Sequence, residues 1–190
     1  DITLNTNRSF IESSDNTPKS FGDSHQEYSN VYAFAALKDD GSVITWGSSS
    51  SGGDSSSVAN ELSSGVSQIF SNNAAFAALK DDGSVVTWGD DFGGGSHSPN
   101  WWTSFGVSQI SSTNEAFAAL KDDGSVVTWG NQGEGGNPGG DAHEKIQSGV
   151  SQIFSTDYAF AALKDDGSVV TWGGRWGGDS SSVANELSSG

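Results

Sequence analysis

The chain has no cysteine, no methionine and only 3 prolines, and its 190 residues carry 8 Lys and Arg against 24 Asp and Glu. Without cysteine there is no disulfide staple, thiol nucleophile or thiolate metal site, so any fold must be held by packing. The formal charge of -16 argues against a nucleic acid or an anionic membrane surface as partner, because phosphate binding depends on Lys and Arg neutralising backbone charge. A basic partner, a neutral partner or a cation stays open. No apolar run approaches the ~18 residues a membrane-crossing helix needs, so membrane insertion is not expected. No signal-peptide pattern opens at Asp1, and we expect a piece processed or excised from something longer. Scarce Lys with abundant acid, Ser and Gly suits an extracellular or cell-surface protein. Leu, Ile, Val and Phe together number 37, just under the level at which disorder becomes the default expectation, so composition leaves folding undecided.

Repetition decides it. The string Ala-Phe-Ala-Ala-Leu-Lys-Asp-Asp-Gly-Ser-Val-Val-Thr-Trp-Gly appears four times, with Ile44 its one internal change, and its Phe34, Phe76, Phe117 and Phe160 are spaced by 42, 41 and 43 residues. Gly-Val-Ser-Gln-Ile precedes it at Gly65, Gly106 and Gly149. The chain therefore divides into a non-repeat head, 1–22, and four units, 23–64, 65–105, 106–148 and 149–190. Each unit reads as three strands, for example 66–71, 75–80 and 85–88, rich in β-branched and aromatic residues. Asp81-Asp82-Gly83-Ser84 predicts a tight type I′ hairpin, since Asp-Gly accepts positive φ. The middle strand carries Phe76 and Ala78 on one side and Ala77 and Leu79 on the other, so both faces should be covered by neighbouring sheets. The weaker segment Val58–Leu62 reads as an outer strand or a short helical turn.

Short strands recurring every ~42 residues are the signature of propeller blades, with a β-solenoid as the rival arrangement. The expected fold is all-β, a β-propeller-type array of four blades. It closes as a four-blade ring or forms part of a larger ring by oligomerisation, two chains making eight blades. In the first unit Ser24 and Glu27 stand where the others have Val and Ile, while Gln26 and Tyr28 keep the register. The head, at Ile2–Leu4 or Phe10–Ile11, is a candidate substitute strand.

Gly-Val-Ser-Gln-Ile-Phe followed by Ala-Leu-Lys-Asp-Asp-Gly-Ser-Val-Val-Thr-Trp-Gly resembles the regulator of chromosome condensation repeat. It is closer still to bacterial β-lactamase inhibitory proteins of the propeller type, down to Val-Ala-Asn-Glu-Leu-Ser-Ser-Gly-Val. The resemblance covers 23–190 and implies a propeller that binds proteins, although that family mostly builds seven blades. It lies in the scaffold and not in the loops, so it does not carry β-lactamase over as a target.

No nucleophile, base and orienter come together in the sequence, and no Gly-rich loop precedes a helix as a phosphate cradle would. Enzymatic activity and a cofactor are not expected. His25, His97 and His143 occupy unrelated places, which argues against a metal site. The paired acids Asp39-Asp40, Asp81-Asp82, Asp122-Asp123 and Asp165-Asp166 read better as turn residues than as a Ca²⁺ ring. Trp46, Trp88, Trp129 and Trp172 read as packing between blades rather than as a ligand platform.

Differences between units concentrate before the middle strand and after the last. In a meander these two loops share one end of the blade and the Asp-Gly turn lies at the other. Variable loops on a constant frame suit recognition, and their residues are of the types enriched in binding surfaces. The candidate contacts are Tyr32, Asn72, Asn73, Phe92, Trp101, Trp102, Asn114, Glu115, Asp157, Tyr158, Arg175 and Trp176. A protein is the first choice of partner. A glycan is the second, because sugar-stacking sites would place the same aromatic in every blade and these do not. A structural surface protein would need no preferred face.

Overall fold

In the computed structural model of the chain, residues 25–96, 105–174 and 177–188 are described. The head, with Ile2–Leu4 and Phe10–Ile11, lies outside them. Each unit supplies three strands. They are β1 His25–Ser29, β2 Ala33–Lys38 and β3 Val43–Gly47; β4 Val66–Ser71, β5 Ala75–Lys80 and β6 Val85–Gly89; β7 Val107–Ser112, β8 Ala116–Lys121 and β9 Val126–Gly130; and β10 Val150–Ser155, β11 Ala159–Lys164 and β12 Val169–Gly173. Each trio is a separate antiparallel sheet with the Ala-Phe-Ala-Ala-Leu-Lys strand in its middle. Four such sheets are the four blades of a propeller-type array.

Sequence identity gives identical register. Phe34, Phe76, Phe117 and Phe160 lie opposite Trp46, Trp88, Trp129 and Trp172, and each pair stacks with centroids 5.2–5.4 Å apart. In the first blade Gln26 and Tyr28 do keep the register, opposite Leu37 and Ala35.

The hairpin turn differs from the expected type I′. Lys38 N donates to Ser42 O and Gly41 N to Lys38 O, each at 2.9 Å, so three residues, Asp39 to Gly41, form the loop. Gly41 alone carries the left-handed step, at φ 76°. This is the type I turn with a closing left-handed glycine that three-residue hairpins adopt. Asp40 Oδ1 accepts from Ser42 N at 2.9 Å and Ser42 Oγ at 2.6 Å, and the other three turns repeat it. The second Asp of each pair is thus a turn lock. A Cβ on Gly41 would stand 2.8 Å from Gly65 N, where Val66 N donates to Gly41 O at 3.0 Å. The glycine therefore lets the next blade begin directly against the turn.

The two faces of a middle strand enter two different cores. Phe76, Ala78, Val86 and Trp88 pack against Tyr28, Ala33, Ala35, Val58 and Leu62 of the first unit. Ala75 and Ala77 on the opposite face pack with Val107, Ile110, Phe117 and Ala119 of the third. A like layer joins the third and fourth blades. Core lies between blades, and alanines on the middle strand let the sheets approach closely. The Val58–Leu62 segment is no strand. It forms two 3₁₀ turns, Ser56–Val58 and Glu61–Ser63, because a four-residue spacing aims Val58 and Leu62 at the same core. The third unit has a short helix there instead, α1 Gly140–Lys145.

Candidate partner-binding face

The loop before each middle strand and the loop after each last strand do share one end of the blade, since Ser48 N donates to Tyr32 O, Asp90 N to Ala74 O, Asn131 N to Glu115 O and Gly174 N to Tyr158 O. Lys38, Lys80, Lys121 and Lys164 close the middle strands beside the Asp-Gly turns, at the far end.

The triplets before the middle strands, residues 30–32, 72–74, 113–115 and 156–158, divide their labour. The first residue is a clamp between the two variable loops. Asn72 Oδ1 accepts from Ala74 N at 3.1 Å and Ala75 N at 2.8 Å, while Nδ2 donates to Gly93 O at 2.6 Å. Asn30 does the same with Tyr32, Ala33 and Ser51. In the third blade the Thr113 hydroxyl replaces the amide, accepting from Ala116 N at 3.0 Å and donating to Glu134 O at 3.2 Å. Asn72 is buried and its amide is taken up in holding the loop; the signal for this role was available, because the same position holds Asn or Thr in every unit and both types cap turns.

The second residue of the triplet runs a backbone rail across the blades. Val31 N donates to Asn73 O at 3.2 Å, Asn73 N to Asn114 O and Asn114 N to Asp157 O, both at 2.9 Å. Asn73, Asn114 and Asp157 thereby fix the loops in a row. The third residue stands on the surface where it is Tyr, while Ala74 and Glu115 are half-buried. Tyr32 is 64 % exposed and Tyr158 41 %, and from the post-strand loop of the second blade Phe92 adds 63 %. Trp101, Trp102, Arg175 and Trp176 lie outside the described residues.

Acids share the loops of the second to fourth blades with Phe92 and Tyr158. Asp90, Asp91, Glu115, Glu134 and Asp157 stand on the described loops with no Lys or Arg among them. Asn131 Nδ2 donates to Glu115 Oε2 at 2.7 Å. Burial, followed by the charges of Glu115 and Asp157, holds the Glu134 carboxyl above its ordinary range. Among the described residues no group of three or more His, Asp or Glu side chains is placed to hold a metal ion. An open groove, lined among others by Lys145, Asp166, Asp179 and Leu187, lies along β12 and includes none of the candidate contacts.

The repeated Trp does join blades. Trp88 Nε1 donates to Gly52 O at 3.0 Å and Trp172 Nε1 to Gly135 O at 3.1 Å, each to the loop of the preceding blade.

Solved structures with this arrangement include Prp20p from Saccharomyces cerevisiae, at 17% identity and TM-score 0.53 over 82% of this chain and 47% of that one. Yeast RCC1 (Prp20) bound to Kap60 matches at 19% and 0.52, over 78% and 43%. Human WBSCR16 matches at 21% and 0.50, over 82% and 49%. The chain has an RCC1-type propeller fold. It spans about half the length of these structures. Neither a family model nor a curated protein sequence matches it. Prp20p is described as binding Gsp1p and histones.

Proposed function

We propose that this chain is a non-enzymatic interaction module that recognises a protein partner through the rim bearing Tyr32, Phe92 and Tyr158, in an extracellular or cell-surface setting. The observation that carries the reading is the coincidence of large exposed rings with a rigid backing. The rail and the clamps order the loops before any partner arrives, so binding does not carry the entropy cost of arranging them. Exposed aromatics are a liability on an idle surface and the main source of contact energy in an interface. The acids beside them select a partner that presents Lys or Arg, because opposite charges steer encounter and like charges repel. Protein binding by Prp20p on the same fold, and the resemblance to propeller-type inhibitory proteins, support a protein over a glycan.

The test is capture of partners from the source medium on the immobilised chain, with identification by mass spectrometry and a glycan array in parallel. The triple variant Tyr32→Ala, Phe92→Ala, Tyr158→Ala should abolish capture, and 0.5 M salt should weaken it. Capture that survives the triple variant but is lost when Asp40, Asp82, Asp123 and Asp166 become Ala would put the binding face at the opposite end. Array binding without protein capture would establish the glycan reading instead.

A further inference from the structure

The two ends of the array expose what the middle buries. On the first blade Phe34, Ile44 and Trp46 are 40, 54 and 41 % exposed, whereas their counterparts in the second, Phe76, Val86 and Trp88, are 0, 5 and 1 %. On the fourth blade Phe154 and Val183 are 50 and 44 % exposed, while the matching Tyr28 and Val58 of the first are both 0 %. Residues 177–190 repeat residues 52–65 without a single change. In the first unit that stretch is one half of the junction with the second blade, in which Val58 and Leu62 lie against Phe76 and Trp88, and Lys80 Nζ donates to Glu61 O at 2.7 Å.

We infer that the exposed face of the fourth blade binds the exposed face of the first blade of a second copy of this chain, and that two copies close head to tail into one eight-blade ring through two identical junctions. This inference is independent of the loop-face reading. The occupant is argued from the molecule's own interior. The first blade presents Phe34, Lys38 and Trp46, the same residues in the same register that receive the 52–65 stretch in the second, and the fourth carries that stretch again. Trp46 Nε1 then donates to Gly177 O as Trp88 Nε1 does to Gly52 O, and Lys38 reaches Glu186 O as Lys80 reaches Glu61 O. A heterologous contact of this kind either closes or propagates; a two-copy ring uses each of the two matching faces once and leaves none exposed.

Two polar substitutions depart from the pattern, Ser24 for the Val of the other units and Glu27 for their Ile. Glu27 lies opposite Ala36, where the other blades have Ile69, Ile110 and Ile153 buried. The junction between copies is therefore weaker than those inside the chain, and Glu27→Ile should strengthen it.

Light-scattering mass across a concentration series tests this with the full chain. Wild type should pass from 19.6 kDa to twice that mass. Trp46→Ala should raise the dissociation constant about 30-fold, as loss of a central aromatic anchor does, and Glu27→Ile should lower it by about tenfold. Far-UV circular dichroism checks that both variants fold. The chain lacks cysteine, so the pair Val31→Cys and Asp157→Cys, next to one another on the rail across a junction, reports directly. A disulfide between chains is the expected product. A 19.6 kDa species at all concentrations for wild type and Glu27→Ile, or a disulfide within one chain marking a closed four-blade ring, would overturn the inference, and unlimited growth with concentration would refute closure.

Discussion

Trp88 and Trp46 occupy one position of the repeat, stack on equivalent Phe rings at 5.2 and 5.3 Å, and differ in whether a blade lies in front of them. Replacing each by Ala therefore isolates the worth of a blade junction. A Trp buries about 150–250 Å². The difference between 1 and 41 % exposure is then about 80 Å² of mostly apolar surface, or ~2 kcal/mol at ~25 cal/mol/Å². Trp88→Ala also strips the donor from Gly52 O, which adds about 1–2 kcal/mol for a carbonyl left buried. Trp88→Ala should cost about 4–5 kcal/mol, within the range for large aromatic truncations, and Trp46→Ala about 1–2 kcal/mol. Urea unfolding followed by far-UV circular dichroism, at a concentration where light scattering reports 19.6 kDa, measures both. Equal losses would refute the assignment of Trp46 to an open face. Raised to a concentration where copies associate, the Trp46→Ala cost should climb toward that of Trp88→Ala.

Gly83→Ala places a side chain on a residue at φ 76° with Gly106 N 2.8 Å from the new Cβ, and should lower stability by about 2 kcal/mol or more in the same urea assay. Asn72→Ala should cost about 2 kcal/mol through the unmade clamp, and Asn72→Thr should recover most of it, since Thr113 already does that work in the third blade. Hydrogen bonds from Ser42, Ser84, Ser125 and Ser168 hold the Asp40, Asp82, Asp123 and Asp166 carboxyls below their ordinary range. The stability they confer is present above the unfolded carboxylate range and lost as pH falls through the lowered folded values, so replacing all four by Asn should flatten the acid limb of a melting-temperature profile. Glu134 runs the other way. Its raised folded value penalises the charged form, so Glu134→Gln should stabilise at pH 7, and that gain should fade as pH falls through the raised folded value and be gone below the unfolded carboxylate range.

The strands were legible to within a residue because alternation, β-branching and four aligned copies all pointed to the same elements. Both-faced burial of β5 could likewise be read from Phe76, Ala77, Ala78 and Leu79. The 3₁₀ turns at Val58 and Leu62 were not, since two apolar residues four apart in a Ser-rich stretch give too short a pattern to separate strand from turn. The turn type was missed because Asp-Asp-Gly-Ser supports either the second Asp with Gly or the Gly alone in the left-handed position. On the loops, sequence difference located the face but could not separate clamp, rail and surface residues. Asn72 and Asn73 are neighbours of one type, and only the hydrogen-bond partners assign one to the loop and the other to the rail. Exposure of Phe34 and Trp46 was invisible in a string identical to its buried copies.

Among the described residues the bonds between blades join neighbours in the chain, as in Ser71 Oγ to Ser29 O, Ser112 Oγ to Ser71 O and Gln109 Nε2 to Ile153 O, which span 42, 41 and 44 residues. Every blade thus carries the two halves of one and the same joint, and order along the chain acts like order along a line. Folding can nucleate at any hairpin and spread outward one joint at a time. Excising residues 65–105 would bring together faces that already match, leaving a shorter array that lacks one joint's worth of cooperativity but no part of its architecture.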